Sequence, residues 1–439
     1  MYYKIETYGC QMNVHESEQI AGILEYLGYS EIDDVKKADI VVFNTCCIRD
    51  NAEQKIFGRI GALKKIKKAN RDLIVAVVGC MSQQADYAEL IKKRYPIVNI
   101  ILGTGNLQKL ETYIKLIASK EKKTIIDINK DDKPEIIEGE KCYRTSGVNA
   151  WINIMYGCNN FCTYCIVPFV RGRERSRKPE DIYKEFVSLV NDGYKEITLL
   201  GQNVNSYGHG LEPKFSFADL LNMLDKVEGD HIIRFMTSHP KDLTDDVIDA
   251  IANSQHICHY IHLPIQAGSS KILKLMNRHY TKEYYIDLVK RIRAKLPDVG
   301  ITTDIMVGFP EETEEDFQDT LDIVEQIRFS SAFTFVYSVR KGTKAASMVQ
   351  VDEEVKKDRI QRLIKAQNKI TKEISREYEG KVFRILCEDI NPKYDNVVLG
   401  RTDSGRLVNF NGDASMIGKF FNVKVSKSQS ATLFGEVVE

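Results

Sequence analysis

The sequence predicts an α/β multidomain chain: an N-terminal doubly wound parallel sheet, a central run of six βα units, and a small C-terminal antiparallel β-barrel. Three observations predict it. Short apolar runs alternate with amphipathic stretches over residues 1–118, the pattern of a parallel sheet with helices on both faces. The alternation resumes at Trp151 and yields six units, short of a closed eight-unit barrel. After Gly380 it gives way to five short strands separated by Gly, Asn and Asp turns.

The 439 residues are enough for about three domains. Lysine plus arginine and aspartate plus glutamate number 62 each, so any nucleic-acid surface must come from local clustering. There is no secretory signal at Met1-Tyr2-Tyr3-Lys4 and no apolar run long enough for a membrane, so a cytoplasmic chain with no membrane partner is expected. Ten cysteines in a cytosolic chain point to metal or redox chemistry rather than disulfides.

In the first domain, residues 1–118, strands are predicted at Tyr2–Tyr8, Asp39–Asn44, Leu73–Val78 and Pro96–Leu102, with helices at Val14–Leu27 and Arg49–Lys68. Cys10, Cys46 and Cys80 each follow a strand. The carboxyl ends of parallel strands share one sheet edge, where ligands bind, so these three thiols meet in space although far apart in sequence. A lone cysteine would be a packed, inert one; three at equivalent positions, two after glycine, argue for a shared bulky ligand. Residues 119–148 are rich in Lys, Glu and Asp and read as a linker, with Cys142 a spare thiol.

Residues 149–377 form the second domain. Trp151–Tyr156 is a strand leading into Cys158, Cys162 and Cys165, a CxxxCxxC spacing. Three thiolates on one loop leave one corner of a four-iron cluster open, which suits binding of a small chelating molecule. Structural zinc wants four ligands, typically in CxxC pairs, and no second pair lies nearby. Further strands are predicted at Glu196–Leu200, Ile232–Met236, Ile257–Leu263, Gly300–Met306 and Ala332–Tyr337, with amphipathic helices at Asp181–Asn191 and Tyr284–Lys295. Polar turns, three of them bearing glycine, follow four of these strands: Gly201-Gln202-Asn203, Thr237-Ser238-His239-Pro240, Pro264–Ser269 and Gly308-Phe309-Pro310. A basic amphipathic helix over 353–377 reads equally as a solvated face or a binding face. Residues 378–439 carry the five short strands, at Val382–Cys387, Val397–Thr402, Leu407–Phe410, Phe420–Ser426 and Leu433–Val438. Gly412–Lys419 is too long by one residue for a phosphate loop, and Phe420 stands where Ser or Thr is needed. Cys258 and Cys387 match no motif.

CxxxCxxC after a short strand, continued by Ile166-Val167-Pro168-Phe169-Val170-Arg171-Gly172-Arg173-Glu174-Arg175-Ser176-Arg177, resembles the radical S-adenosylmethionine (SAM) methylthiotransferases, nearly end to end. The resemblance implies an open (β/α)6 partial TIM barrel in which the cluster on Cys158, Cys162 and Cys165 chelates SAM and cleaves it reductively to a 5′-deoxyadenosyl radical. It implies a second [4Fe-4S] cluster on Cys10, Cys46 and Cys80, from Thr7-Tyr8-Gly9-Cys10-Gln11-Met12-Asn13, Asn44-Thr45-Cys46 and Val78-Gly79-Cys80, with Cys47 a packed neighbour. The four polar turns resemble family motifs around SAM, placing it near Gln202, Ser238, Gln266, Arg278 and Gly308, with His239 either ordering its turn or acting in catalysis. Glu311 and Ser338-Val339-Arg340 depart from the family pattern in loops. The last sixty residues resemble the TRAM domain, an RNA-binding module, through Gly400-Arg401-Thr402, Val408-Asn409-Phe410, Ile417-Gly418 and Phe434-Gly435-Glu436.

Arg171–Lys178 carries five basic residues against one acid. Arginine contacts RNA phosphates and stacks on bases. With the TRAM-like barrel this favours tRNA, with Arg171, Arg173, Arg175, Arg177, Arg401, Asn409, Phe410 and Lys424 as candidate contacts. Gly-Cys-Gln-Met-Asn and Thr-Ser-His-Pro look most like family members that methylthiolate C2 of N6-isopentenyladenosine beside the anticodon. Others act on threonylcarbamoyladenosine or on a ribosomal-protein aspartate; a non-catalytic iron–sulfur RNA-binding protein would need the thiolates but not the SAM-like turns. The implied partners are an electron donor of flavodoxin or ferredoxin type and a sulfur source.

Overall fold

The computed structural model describes residues 1–46, 50–128, 142–144 and 147–438, with the side chains of 50–53 set aside; Cys47 and most of the expected linker lie outside the described residues. The chain divides into two compact units. The first comprises Met1–Thr145, Met155–Asn159 and Ile166–Arg177; the second comprises Ser146–Ile154, Asn160–Cys165 and Lys178–Glu439.

The first unit is built on six parallel strands, β1 (Tyr2–Thr7), β2 (Ser30–Glu31), β3 (Ile40–Thr45), β4 (Ile74–Gly79), β5 (Ile100–Leu102) and β6 (Ile125–Asp127), in the order β2-β1-β3-β4-β5-β6. Its helices are α1 (Gln11–Tyr26), α2 (Asp50–Ala69), α3 (Ala85–Arg94) and α4 (Leu110–Ala118). The central strands are continuous apolar runs because both faces are covered. Ile40, Val42, Ala76 and Val78 pack with Ile20, Leu24 and Ile114 of α1 and α4. Val41, Phe43, Val75 and Val77 pack with Ile56, Ile60, Leu63 and Ile91 of α2 and α3. Each such Ile, Val, Leu or Phe side chain contributes about 1.5–3 kcal/mol by its burial. The strand order reverses between β1 and β3, so the crevice at their carboxyl ends is the place an open α/β sheet offers a ligand. β6 falls inside the stretch read from sequence as linker. Its Ile125-Ile126 pair is too short a signal among charged neighbours, and the two-residue β2 carried none.

Residues 155–177 add a second piece to this unit. β7 (Asn149–Asn153) belongs to the second unit, but β8 (Met155–Tyr156) pairs antiparallel with β9 (Arg175–Ser176), and α5 (Val167–Arg171) lies between them in sequence.

The second unit holds a six-stranded parallel array in chain order: β7, β10 (Glu196–Leu200), β11 (Ile232–Phe235), β12 (Tyr260–His262), β13 (Gly300–Val307) and β14 (Ser331–Val336). Its two three-stranded halves are joined through a parallel bridge between Ile233 and Ile257. Helices α6 (Pro179–Asn191), α7 (Phe217–Leu224), α8 (Asp245–Ala252), α9 (Ser270–Leu275), α10 (Lys282–Lys295) and α11 (Glu314–Ile327) lie between the strands in sequence. Reciprocal Ser216–Asp219 and Thr313–Asp316 capping boxes start α7 and α11. Alternate strand residues Ile197, Leu199, Ile233, Ile261, Ile301 and Ile305 are fully buried. The opposite, luminal face pairs His262 with Thr302, Asp304 with Phe333, and Met306 with Phe335.

The long helix α12 (Glu353–Arg376) settles the choice posed by its basic residues for two of them: Lys356 and Arg359 are buried, Arg359 Nη1 lying 2.8 Å from Glu312. The remaining strands, β15 (Val382–Ile390), β16 (Val397–Arg401), β17 (Leu407–Asn411), β18 (Phe420–Gln429) and β19 (Thr432–Val438), close a small barrel. Four pairings are antiparallel, but β17 and β19 close it in parallel, which strand patterning does not encode. Its loop 402–406 docks where β12–β14 begin. The Ser404 carbonyl oxygen would lie 2.0 Å from a Cβ on Gly300, and Arg406 Nη2 donates to Ser330 O at 2.7 Å. The barrel therefore sits at the opposite end of these strands from their carboxyl rim.

Candidate functional site

The register of the first sheet aligns Thr7 with Asn44 and Thr45 with Gly79. Cys10, Cys46 and Cys80 therefore follow three adjacent strand ends. Two asparagines lock the arrangement. Asn13 Nδ2 donates to Asn44 Oδ1 at 3.0 Å and to Thr45 O at 3.2 Å, and Asn44 Nδ2 donates back to Asn13 O at 2.8 Å. The Cys80 N–H donates to Thr45 O at 2.9 Å. Gly79 is obligatory: its φ is +99°, and a Cβ there would stand 2.4 Å from Thr45 O. Cys10 is the N-cap of α1. Cys46 and Cys80 are buried and Cys10 is exposed. Three soft thiolates on adjacent strand ends, two of them buried, are a donor set that fits an iron–sulfur cluster.

Arg171 is buried at this edge. Its Nη1 lies 2.6 Å from Glu16 Oε1. Burial disfavours its charge, but Cys80, Glu16 and Cys10 outweigh that and hold it more firmly protonated. The expectation that Arg171 faces RNA is corrected: its guanidinium is buried and paired with Glu16.

The CxxxCxxC loop is anchored piece by piece. Within the first unit, the Cys158 N–H donates to Gly172 O at 3.2 Å. Within the second, Asn277 Nδ2 donates to the carbonyls of Asn160 and Phe161 at 3.0 and 3.2 Å, and Thr163 Oγ1 donates to Leu275 O at 2.9 Å. Arg278, also buried, lies with Nη1 3.5 Å from Cys162 Sγ and Nη2 2.9 Å from Pro264 O. Burial works against its charge, and Tyr280, Tyr164 and Cys162 sustain it.

The carboxyl rim of the strands carries unsatisfied polar atoms. Ser238 Oγ, Asn203 Oδ1, Asn205 Nδ2 and His239 Nε2 are buried with no hydrogen-bond partner among the described residues. Such groups are rare in proteins unless a ligand or water completes them, so this rim fits a polar cofactor such as SAM. His239 Nδ1 accepts the Lys241 N–H at 3.3 Å, which puts the ring proton on Nε2 and makes that atom a donor. Burial first, then Arg278, hold this imidazole well below its usual range, so it stays neutral. Gln266 is half-buried at φ +73°, and its N–H donates to Asp304 O at 2.9 Å. Gln202 is half-buried and Ser238 buried. The Gly308 N–H donates to Glu312 Oε1 at 3.0 Å, and its Cα is covered by the Lys356 stem.

Of the other basic residues proposed for RNA, Arg173 is exposed and Arg175 half-buried, with Nε and Nη1 of Arg175 buried and unpartnered among the described residues. Arg177 is buried. In the small barrel Lys424 is exposed and Arg401 is half-buried, ion-paired with Glu388. Arg177, Asn409 and Phe410 are corrected with Arg171. Phe410 is 2% exposed in the barrel core, and Asn409 is spent on Asn391, 2.7 Å away. Cys258 and Cys387 are core thiols, Cys387 being pushed up to about 11 by burial. Sequence reasoning passed over Asn13, Asn44 and Glu16 as functional groups, although both asparagines stand in the quoted cysteine motifs.

Three family descriptions match the chain: Radical SAM superfamily over residues 152–324, Uncharacterized protein family UPF0004 over 2–103, and TRAM domain over 376–438. A Thermoanaerobacter pseudethanolicus protein named tRNA-2-methylthio-N(6)-dimethylallyladenosine synthase is 51% identical over 440 residues, covering 100% of this chain and 93% of that protein. A Clostridium tetani protein of the same name is 53% identical over 435 residues, covering 99% and 96%. Among solved structures, the radical SAM methyltransferase TsrM from Kitasatospora setae matches with a TM-score of 0.58 at 15% identity over 79% of this chain and 74% of that one. The cobalamin-dependent radical SAM enzyme OxsB matches at 0.51 and 14% identity over 84% and 56%. These two likenesses are of fold alone.

Proposed function

The chain belongs to the radical SAM methylthiotransferase family, and from that premise we propose that it methylthiolates C2 of N6-isopentenyladenosine beside the anticodon of tRNA. The observation that carries the reading is the pair of cysteine triads: one gathered by the first sheet, one on the CxxxCxxC loop. We assign Cys10, Cys46 and Cys80 to the auxiliary [4Fe-4S] cluster and Cys158, Cys162 and Cys165 to the radical cluster. When bound, the two clusters supply reductive cleavage of SAM and a site for the transferred sulfur, SAM serving as methyl donor and radical source.

The protein's own groups bind and orient. In this reading the unpartnered Ser238 Oγ and His239 Nε2–H meet polar atoms of SAM, with Gln202, Gln266 and the Gly308 backbone along the same rim. Arg278 fixes the Cys162 side of the loop. Arg173, Arg175, Arg401 and Lys424 remain as RNA phosphate contacts. The luminal face supports the choice of nucleoside. Phe333 and Phe335 present apolar surface there, and Asp304, 3.6 Å from His262 Nε2, lies beside Phe333 in register. An apolar isopentenyl group suits such a face, whereas the carboxylate of threonylcarbamoyladenosine would meet Asp304. Among the described residues no helix is long and apolar enough to cross a membrane. The proposal adds a cytoplasmic site of action, a flavodoxin- or ferredoxin-type electron donor and an external sulfur source.

Nucleoside analysis of tRNA from cells lacking the gene tests the proposal. The 2-methylthio derivative should vanish and isopentenyladenosine accumulate. Unchanged nucleosides would overturn it, and loss of methylthio-threonylcarbamoyladenosine instead would move the enzyme to the other substrate.

A further inference from the structure

We propose that Arg171, clamped by Glu16, is a fixed countercharge that raises the reduction potential of the auxiliary cluster. The inference rests on the reading of Cys10, Cys46 and Cys80 as ligands.

Arg171 comes six residues after Cys165, yet it belongs to the first unit and is buried there. Three contacts hold its segment. Val170 and Ile166, beside it on α5 and its lead-in, pack against Cys80. Thr104, in the loop after β5, donates to the Val170 carbonyl at 2.6 Å. Glu16, on the helix that Cys10 caps, takes Nη1 at 2.6 Å and Nη2 at 3.3 Å. A guanidinium is thus fixed between the segment that packs on Cys80 and the helix that Cys10 caps, with a single carboxylate as its ion-pair partner among the described residues.

The consequence is electrostatic. Three thiolates leave a four-iron cluster anionic, and one-electron reduction adds a further negative charge. In a water-poor setting a nearby fixed cation stabilises the reduced state more than the oxidised one and so raises the potential; a nearby anion lowers it. Arg171 and Glu16 therefore act in opposite directions. A purely structural ion pair would not separate them, because removing either member breaks the same contact.

The test uses the full chain with Cys158, Cys162 and Cys165 changed to Ala, so that only the auxiliary cluster remains, reconstituted anaerobically. Its midpoint potential is measured by EPR-monitored titration before and after Arg171→Met, Arg171→Lys and Glu16→Gln, with iron counted throughout. Retention of about four irons with a lower potential in Arg171→Met, a smaller change in Arg171→Lys and a higher potential in Glu16→Gln is the expected result. Shifts of the same sign in Arg171→Met and Glu16→Gln, or no shift in either, would overturn the proposal. Should Arg171→Met fail to hold iron, Glu16→Gln decides alone: a rise supports the countercharge, and no rise rejects it. A parent chain that binds no iron refutes the ligand assignment instead.

Discussion

Cys10, Cys46 and Cys80 are gathered by the register of a parallel sheet, whereas Cys158, Cys162 and Cys165 share one short loop. In the first case nothing local brings the thiols together. β1, β3 and β4 must pair correctly, and the Asn13–Asn44 exchange with Gly79 against Thr45 holds their ends to within the tolerance of a hydrogen bond. In the second case chain connectivity already confines the thiols, and Asn277, Thr163 and Arg278 only fix the loop's course. One site is a property of topology and the other of sequence spacing. They should therefore fail in different ways.

The largest separation should come from the cysteines themselves. Changing Cys158, Cys162 or Cys165 to Ala should abolish 5′-deoxyadenosine formation. Changing Cys10, Cys46 and Cys80 to Ala should lower iron from about eight to about four per chain, spare SAM cleavage and stop methylthiolation. Equal loss of SAM cleavage in both sets of folded protein would erase the distinction. Gly79→Ala comes next. Its positive φ and the clash with Thr45 O should cost about 1–3 kcal/mol or more and empty the sheet site by iron analysis, while the loop site still cleaves SAM.

A smaller contrast is expected from the asparagines. Asn44→Ala strips a buried amide from the sheet edge, a loss of about 1–3 kcal/mol that should appear in the thermal midpoint and in auxiliary iron. Asn277→Ala frees two loop carbonyls and should slow SAM cleavage with little change in iron. The reverse pattern would show that connectivity is not what protects the loop site. The smallest effect concerns the scaffold behind the loop. His231 is buried, stacked on His256 with ring centroids 4.2 Å apart, and its pKa is pushed down to about 4, chiefly by burial. Between about pH 6.5 and 4 the unfolded chain binds more protons at this group, so its stabilising share is complete above that window and is lost as pH falls, by at most about 1.4 kcal/mol per pH unit. Melts of cluster-free His231→Phe protein at pH 5 and 7 should show a shallower acid loss than the parent; an unchanged slope would exclude His231 as its source.

Much of this was legible in the chain. The three N-terminal cysteines follow apolar runs whose alternation with helices implies a shared edge, and Glu196–Leu200 falls where periodicity puts it. What periodicity could not supply is side-chain direction. Arg171 and Arg177 look like surface cations in a basic run but are buried, and Phe410 and Asn409 look like a binding motif but belong to a barrel's interior. Burial of a charged residue depends on partners remote in sequence, such as Glu16, and no window around Arg171 contains one. β6 and β2 were missed for a related reason: two- and three-residue strands take their identity from the sheet they join.

The inclusion of Ile166–Arg177 in the first unit bears on how such chains are recombined. A chimera joined between the expected domains, anywhere from residue 119 to 148, would take its α1 from one parent and Arg171 from the other. It would leave Glu16 facing an unmatched residue and Cys80 against a foreign Val170 and Ile166. A graft that carries 155–159 and 166–177 along with the N-terminal sheet keeps those contacts intact. The transplantable piece is thus discontinuous, and the loop that follows the third cysteine of the central motif travels with the sheet rather than with the barrel.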